Sequence, residues 1–216
     1  MTQSLHSYLS ELPLIAILRG LRPQVAVEVG EALVAAGFRV IEVPLNSPEP
    51  LRSIEALAKR LPPEILVGAG TVLDPEKVAA IRDAGGRLIV MPHSDGEVIR
   101  KAKELNLICT PGVATPTEAF AALRNGADGL KMFPAENLAP AVTKAWRAVL
   151  APDTLLIPVG GITPESMRPY IEAGADGFGL GSALFAPDRA VDDIKRRARD
   201  FAEAWLSTAG AAKRAG

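Results

Sequence analysis

Two charged residues stand inside runs that otherwise read as buried strand: Lys131 in Gly129-Leu130-Lys131-Met132-Phe133, and Glu42 in Val40-Ile41-Glu42-Val43. Strand alternation puts Lys131 on the face of Gly129 and Phe133, opposite Leu130 and Met132. An inward ammonium is costly unless paired or kept partly neutral, and a neutral amine is what attack on a ketone carbon needs. A lysine that snorkels to the mouth as a phosphate or carboxylate counter-ion explains the position equally well. A carboxylate at Glu42 can relay protons between a substrate hydroxyl, a carbinolamine and an enamine carbon, the acid and base work of a lysine imine. Its other reading is a structural ion pair with Arg19 or Lys131. Arg19, closing Leu14-Ile15-Ala16-Ile17-Leu18, offers a planar fork for a carboxylate or phosphate, or is a plain arginine at the mouth.

Glycines mark a place for an anion. Gly160-Gly161 and Gly179-Leu180-Gly181-Ser182 each follow a short apolar run, and Ala183 to Phe185 can add a helical turn after the second. Bare glycine backbone lets N–H groups approach a phosphate closely, although tight turns alone also use glycine. Gly68-Ala69-Gly70-Thr71 looks like a third phosphate loop, but its place in the chain assigns it to close packing beneath the carboxylate end of a substrate. His93 and His6 lack the neighbours of a metal site and read as mouth and surface residues. Cys109, the sole cysteine, sits in an apolar run and reads as a small buried residue.

These residues need a scaffold that brings them together. Eight short apolar runs alternate with amphipathic stretches: Leu14–Leu18, Val40–Val43, Ile65–Val67, Leu88–Val90, Leu107–Cys109, Gly129–Met132, Leu155–Pro158 and Gly177–Leu180. Helix stops fall at Gly37, Pro62-Pro63, Gly85-Gly86, Asn106, Gly126, Pro152 and Gly174. Helix starts are signalled at Pro23, Ser47-Pro48, Asp74-Pro75, Ser94, Thr115-Pro116 and Thr163-Pro164. Near-continuous apolar runs fit a parallel sheet covered on both faces. The pattern predicts an α/β chain, a single-domain (β/α)8 TIM barrel over residues 1–208 with a disordered tail at 209–216. An open doubly wound sheet shares the local pattern. The residues at the strand ends, Arg19, Glu42, Gly70-Thr71, Pro92, Pro111-Gly112, Lys131, Gly160-Gly161 and Gly181-Ser182, all break the apolar code, and a barrel gathers them on one face.

Composition narrows the function. The chain has 216 residues and a formal net charge of −1, with no dense Lys/Arg run, so no nucleic-acid or anionic-membrane partner is expected. At 48% apolar and 23% charged it has the balance of a folding globular protein. The start lacks a basic segment followed by an apolar one, and no apolar stretch reaches membrane-span length, so a cytoplasmic location is expected.

Four ordered motifs carry a resemblance: Ile41-Glu42-Val43-Pro44-Leu45-Asn46-Ser47-Pro48, Gly68-Ala69-Gly70-Thr71-Val72-Leu73, Leu130-Lys131-Met132-Phe133-Pro134-Ala135 and Val159-Gly160-Gly161-Ile162. From about Leu12 to Trp205 the chain resembles the family of 2-keto-3-deoxy-6-phosphogluconate and 2-keto-3-deoxy-6-phosphogalactonate aldolases. The resemblance implies that Lys131 forms the Schiff base and Glu42 shuttles protons. It also implies an enzyme without metal or other cofactor, usually a homotrimer, acting on a phosphorylated keto-sugar acid. Arg19, Thr71, Pro92, Pro111, Phe133, Val159, Gly160, Gly161, Gly181 and Ser182 then bind substrate. Arg19 and Asn46 bring the match nearer the phosphogalactonate branch, whose relatives often carry a small or hydroxylated residue where Met91 stands. Two other classes use similar residues: a phosphate-binding barrel isomerase or epimerase working by plain acid and base, and a non-catalytic sugar-phosphate sensor.

Overall fold

The computed structural model describes residues 3–215, with side chains as far as Thr208. In chain order the first elements are α1 (Leu5–Tyr8), β1 (Leu14–Ile17), α2 (Pro23–Ala35), β2 (Val40–Pro44), α3 (Pro50–Arg60) and β3 (Leu66–Gly70). There follow α4 (Glu76–Asp83), β4 (Leu88–Val90), α5 (Gly96–Glu104), β5 (Ile108–Thr110), β6 (Gly112–Val113) and α6 (Pro116–Arg124). The last are β7 (Leu130–Met132), α7 (Pro140–Arg147), β8 (Leu156–Pro158), α8 (Met167–Glu172), β9 (Phe178–Leu180) and α9 (Val191–Ala215).

The strands make a curled parallel sheet in two hydrogen-bonded segments, β5-β4-β3-β2-β1-β9 and β6-β7-β8. Pro111 separates β5 from β6: having no N–H, it interrupts the ladder of what sequence alone reads as one run. An isolated parallel bridge, Val159 to Gly179, links the end of β8 to β9.

Alternation sorts the side chains into two layers. Leu130 and Met132 face the helices in the larger core, with Ile41, Val43, Ile89 and Cys109. Val40, Leu66, Leu88, Ile108 and Ile157 fill the inside of the curl. α1 was not legible as an element. Its Leu5 and Tyr8 join that inner layer and plug the amino ends of the strands, where Arg87 donates to the Tyr8 hydroxyl at 3.0 Å.

A repeated Gly-Ala-Asp-Gly at 126–129 and 174–177 sets register at the same end. Asp128 accepts from the Cys109 N–H at 2.8 Å and Asp176 from that of Leu156 at 2.7 Å. Each carboxylate is also paired with a cation from the helix one βα unit earlier, Lys103 of α5 and Arg147 of α7. Both loops open on a glycine at positive φ, +98° for Gly126 and +97° for Gly174, the conformation that ends a helix most cheaply with glycine.

Two helix boundaries differ from expectation. α3 starts at Pro50, not Ser47-Pro48: Glu49 enters it in the left-handed region at φ 43°, and Ser47 Oγ instead accepts from the Gly20 N–H at 2.9 Å. α5 is capped by Asp95, not Ser94, its carboxylate accepting from the Glu97 N–H. α9 is described with helical backbone as far as Ala215, and the side chains of 209–216 lie outside those described. Thr115 heads α6 with a full capping box, as its sequence predicts.

Candidate active site

The carboxyl ends of the strands open into a cavity of about 620 Å³, a size that suits a small phosphorylated acid. Of the residues expected to bind substrate, Arg19, Thr71, Pro92, Phe133, Val159, Gly160, Gly161, Gly181 and Ser182 border it, with Lys131 at its floor. Pro111 does not. It lies buried behind the floor, and its carbonyl accepts from the Lys131 N–H at 2.9 Å, so it holds the lysine's backbone instead of touching the cavity.

Lys131 is 6% exposed, and its Nζ lies 5.0 Å from the centre of the Phe133 ring. Glu42 is deeper, 1% exposed, and borders with Lys131 and Val159 a second, much smaller cavity beneath the first. Neither oxygen of Glu42 has a hydrogen-bond partner among the described residues, so the structural ion-pair reading fails at contact distance. Burial pushes its carboxyl above the usual carboxylate range, while Lys131 and Arg19 pull it back. A carboxyl balanced between burial and two cations is suited to taking up and giving back a proton.

Local structure explains why these groups sit as they do. Glu42 needs the glycine beside it: a Cβ on Gly70 would fall 1.5 Å from Glu42 Oε1. The Gly68-Ala69-Gly70-Thr71 run is therefore a packing device, with Gly68 pressed against the Leu88 backbone and Gly70 against Glu42. Gly70→Ala is expected to push the Glu42 carboxyl out of place, because its Oε1 stands where the new methyl group would be. Thr71, next in line, holds φ 56°, a strained conformation for a β-branched residue of the kind that gathers at working sites. Arg19 is oriented by Asn46, whose Oδ1 accepts from its guanidinium at 2.8 Å.

On the far side, Gly160 and Gly161 turn with φ 114° and 62°. Gly181 has open space where a Cβ would stand. After it comes a single turn, closed by the Leu184 and Phe185 N–H groups on the Gly181 carbonyl, both at 2.9 Å, where an extra helical turn was expected. Arg189 and Arg197 brace this turn from behind, donating to the carbonyls of Ser182 and Ala183 at 3.1 Å each, and both pair with Asp193.

Sequence reasoning missed Glu136 and Thr110. Glu136 borders the cavity from the short 3-10 stretch Ala135–Asn137, its carboxylate against Gly160 and Gly161. Nothing in the sequence announces a contact made only by the fold. Thr110 was readable, because alternation puts it on the inner face with Ile108. Cys109, on the outer face, is buried with its thiol pushed up to about 12, so it is unreactive there. His93 is exposed near the mouth, and His6 Nε2 donates to the Asp153 carbonyl at 2.9 Å. Among the described residues, no three His, Cys, Asp or Glu side chains gather as metal ligands.

Fold and site together define a class: an α/β enzyme with a buried lysine and carboxylate at the carboxyl ends of parallel strands and glycine turns on the cavity rim. The chain belongs to the KDPG and KHG aldolase family, whose pattern it matches over residues 5–197. It is 48% identical over 188 residues to the Rhizobium meliloti (strain 1021) protein named "Probable 2-dehydro-3-deoxy-6-phosphogalactonate aldolase", covering 87% of this chain and 89% of that one. To the Escherichia coli (strain K12) protein named "2-dehydro-3-deoxy-6-phosphogalactonate aldolase" it is 44% identical, over 91% of this chain and 96% of the relative. The solved structure titled "Native KDPGal structure" superposes with a TM-score of 0.91 at 44% identity, covering 93% of this chain and 97% of that one.

Proposed function

We propose that this chain is a class I aldolase that cleaves 2-dehydro-3-deoxy-6-phosphogalactonate into pyruvate and D-glyceraldehyde 3-phosphate through an imine on Lys131. The observation that carries the reading is the pairing of buried Lys131 with buried, unpartnered Glu42 below a cavity rimmed by Gly160, Gly161 and Gly181. The names of the relatives at 48% and 44% identity support the substrate.

In this reading the Lys131 amine bonds to the C2 carbonyl carbon, the carbonyl oxygen takes up a proton, and loss of water leaves a protonated imine. Glu42, ionised, takes the proton of the C4 hydroxyl. The C3–C4 bond breaks, its electrons pass to the iminium nitrogen to give an enamine, and the aldehyde departs. A proton from Glu42 returns to the C3 carbon, and water releases pyruvate from the lysine. Arg19 takes the C1 carboxylate. Thr71, Pro92 and Phe133 wall the pyruvyl part, and the turns at Gly160-Gly161 and Gly181-Ser182 take the phosphate by backbone N–H groups.

The two epimeric substrates differ at C4, and Val159 is the residue we assign to that position. Its side chain borders both cavities. Valine offers no hydrogen bond to a C4 hydroxyl, whereas threonine would favour the gluconate epimer by on the order of 1 kcal/mol, about ten-fold or less. The expected result is cleavage of the galactonate compound, with the gluconate epimer accepted weakly or comparably, and a shift toward gluconate in Val159→Thr. Values of kcat/KM for both compounds on both proteins test it. A wild type that prefers gluconate by ten-fold or more would overturn the substrate assignment and leave the imine standing.

The sheet itself we read as a closed eight-stranded barrel forming one domain over residues 1–208. Counting β5 and β6 as one strand broken at Pro111, together with the Val159–Gly179 bridge, supports closure. We further propose a homotrimer, as the resemblance implies, working in the cytoplasm. No helix among the described residues is long and apolar enough to cross a membrane.

A further inference from the structure

The chain between β9 and α9, residues 181–190, closes one side of the cavity, which Gly181, Ser182, Ala183, Phe185, Ala186 and Pro187 all border. Its single turn cannot run on. A helix would pass the Ala183 carbonyl to the N–H four residues later, and that residue is Pro187, which has none. Arginines take the open carbonyls. Arg189 Nη1 donates to that of Ser182 at 3.1 Å and reaches that of Ala183 at 3.5 Å, while Arg197 Nη1 donates to that of Ala183 at 3.1 Å. The Arg189 side chain is 18% exposed, and its Nε lies 3.3 Å from Asp193, which also pairs with Arg197. Its guanidinium is therefore committed to the turn and to Asp193.

The Ser182 carbonyl and the Ala183 N–H belong to one peptide. That peptide is trans, so its two groups point opposite ways, and a carbonyl drawn back onto Arg189 turns the N–H away from the arginine. Among the described residues the Ala183 N–H donates to no backbone carbonyl, and Ala183 borders the cavity. We propose that Arg189 is a positioning residue for phosphate binding: it fixes the Ser182-Ala183 peptide so that the Ala183 N–H is presented to the substrate phosphate. Arg189 does not itself border the cavity, so it acts through the turn without touching the anion. A turn held in this way before substrate arrives spares the cost of ordering it on binding. The inference rests on the reading of the Gly181-Ser182 turn as a phosphate site.

The test uses Arg189→Met and Arg189→Lys in the full chain. Measured on each are kcat and KM for 2-dehydro-3-deoxy-6-phosphogalactonate, inhibition by inorganic phosphate, and capture of pyruvate by borohydride. Arg189→Met is expected to raise KM and to weaken inhibition by inorganic phosphate, each about ten-fold, the loss of one aimed hydrogen bond to an anion, with kcat close to wild type. Capture of pyruvate, which carries no phosphate, should keep its wild-type yield. Arg189→Lys, which keeps a cationic donor behind the turn, is expected to recover part of the loss. Unchanged KM and phosphate inhibition in Arg189→Met would overturn the inference. So would a fall in pyruvate capture as large as the rise in KM, which marks damage to the scaffold and not to the turn. Failure of the phosphate-site reading looks different: inorganic phosphate would then not inhibit the wild-type chain at all.

Discussion

Treated with pyruvate and borohydride, the wild-type chain is expected to carry one reduced pyruvyl adduct, mapped to Lys131, and Lys131→Met to carry none. Lys131 stands at the floor of the cavity and is the one lysine among the residues that border it. Reduction freezes the imine before hydrolysis can return the lysine. Turnover of the phosphorylated substrate should fall in Lys131→Met by on the order of 10⁶, or to the limit of detection, because removing the covalent nucleophile removes every later step with it. Folding should survive, since the methionine keeps the unbranched stem against Phe133. Peptide mapping by mass spectrometry decides the matter. An adduct on another lysine, or none on the wild type, would remove the imine mechanism.

Glu42→Gln is expected to separate imine formation from cleavage. Pyruvate capture should persist, because the amine and its carbonyl target are untouched, while cleavage slows by roughly 10²–10⁴, the range of a positioned acid or base. The same variant has a stability signature. Burial raises the folded-state pKa of Glu42, so the folded chain holds this proton at pH values where the unfolded chain has released it. That contribution is complete below the ordinary carboxylate range and is lost as pH rises through the folded value. Glutamine cannot ionise, so the melting temperature of Glu42→Gln relative to wild type should climb as pH increases above that range. Melting curves across pH measure this. A difference that stays flat or falls would mean that Glu42 is not held against its charge.

Much of this was legible from residue type and spacing. Continuous apolar runs located the strands, and the breaks in apolar code at their ends put Arg19, Thr71, Pro92, Gly160, Gly161, Gly181 and Ser182 around one cavity, while Phe133 and Val159, apolar themselves, came only from the resemblance. Pro111 lies off that cavity, and a proline that interrupts a ladder breaks the strand pattern just as a residue that faces a ligand does. Boundaries failed where a cap depends on backbone conformation: Glu49 adopts the left-handed region, which glutamate seldom does, and that freed Ser47 for Gly20. Glu136 was illegible for a different reason. Its place over Gly160 and Gly161 is created by the path of the chain after Pro134, and no periodicity encodes it.

The bridge between Val159 and Gly179 ties a residue of the cavity wall to the architecture. Val159 borders the cavity and also forms a seam between the two sheet segments, and a Cβ on Gly179 would meet its Cγ2 at 2.6 Å. A larger residue at 179 would have to wedge that seam apart. Threonine has the size and branching of valine, so exchanging the two at 159 leaves the seam closed and asks nothing of the sheet.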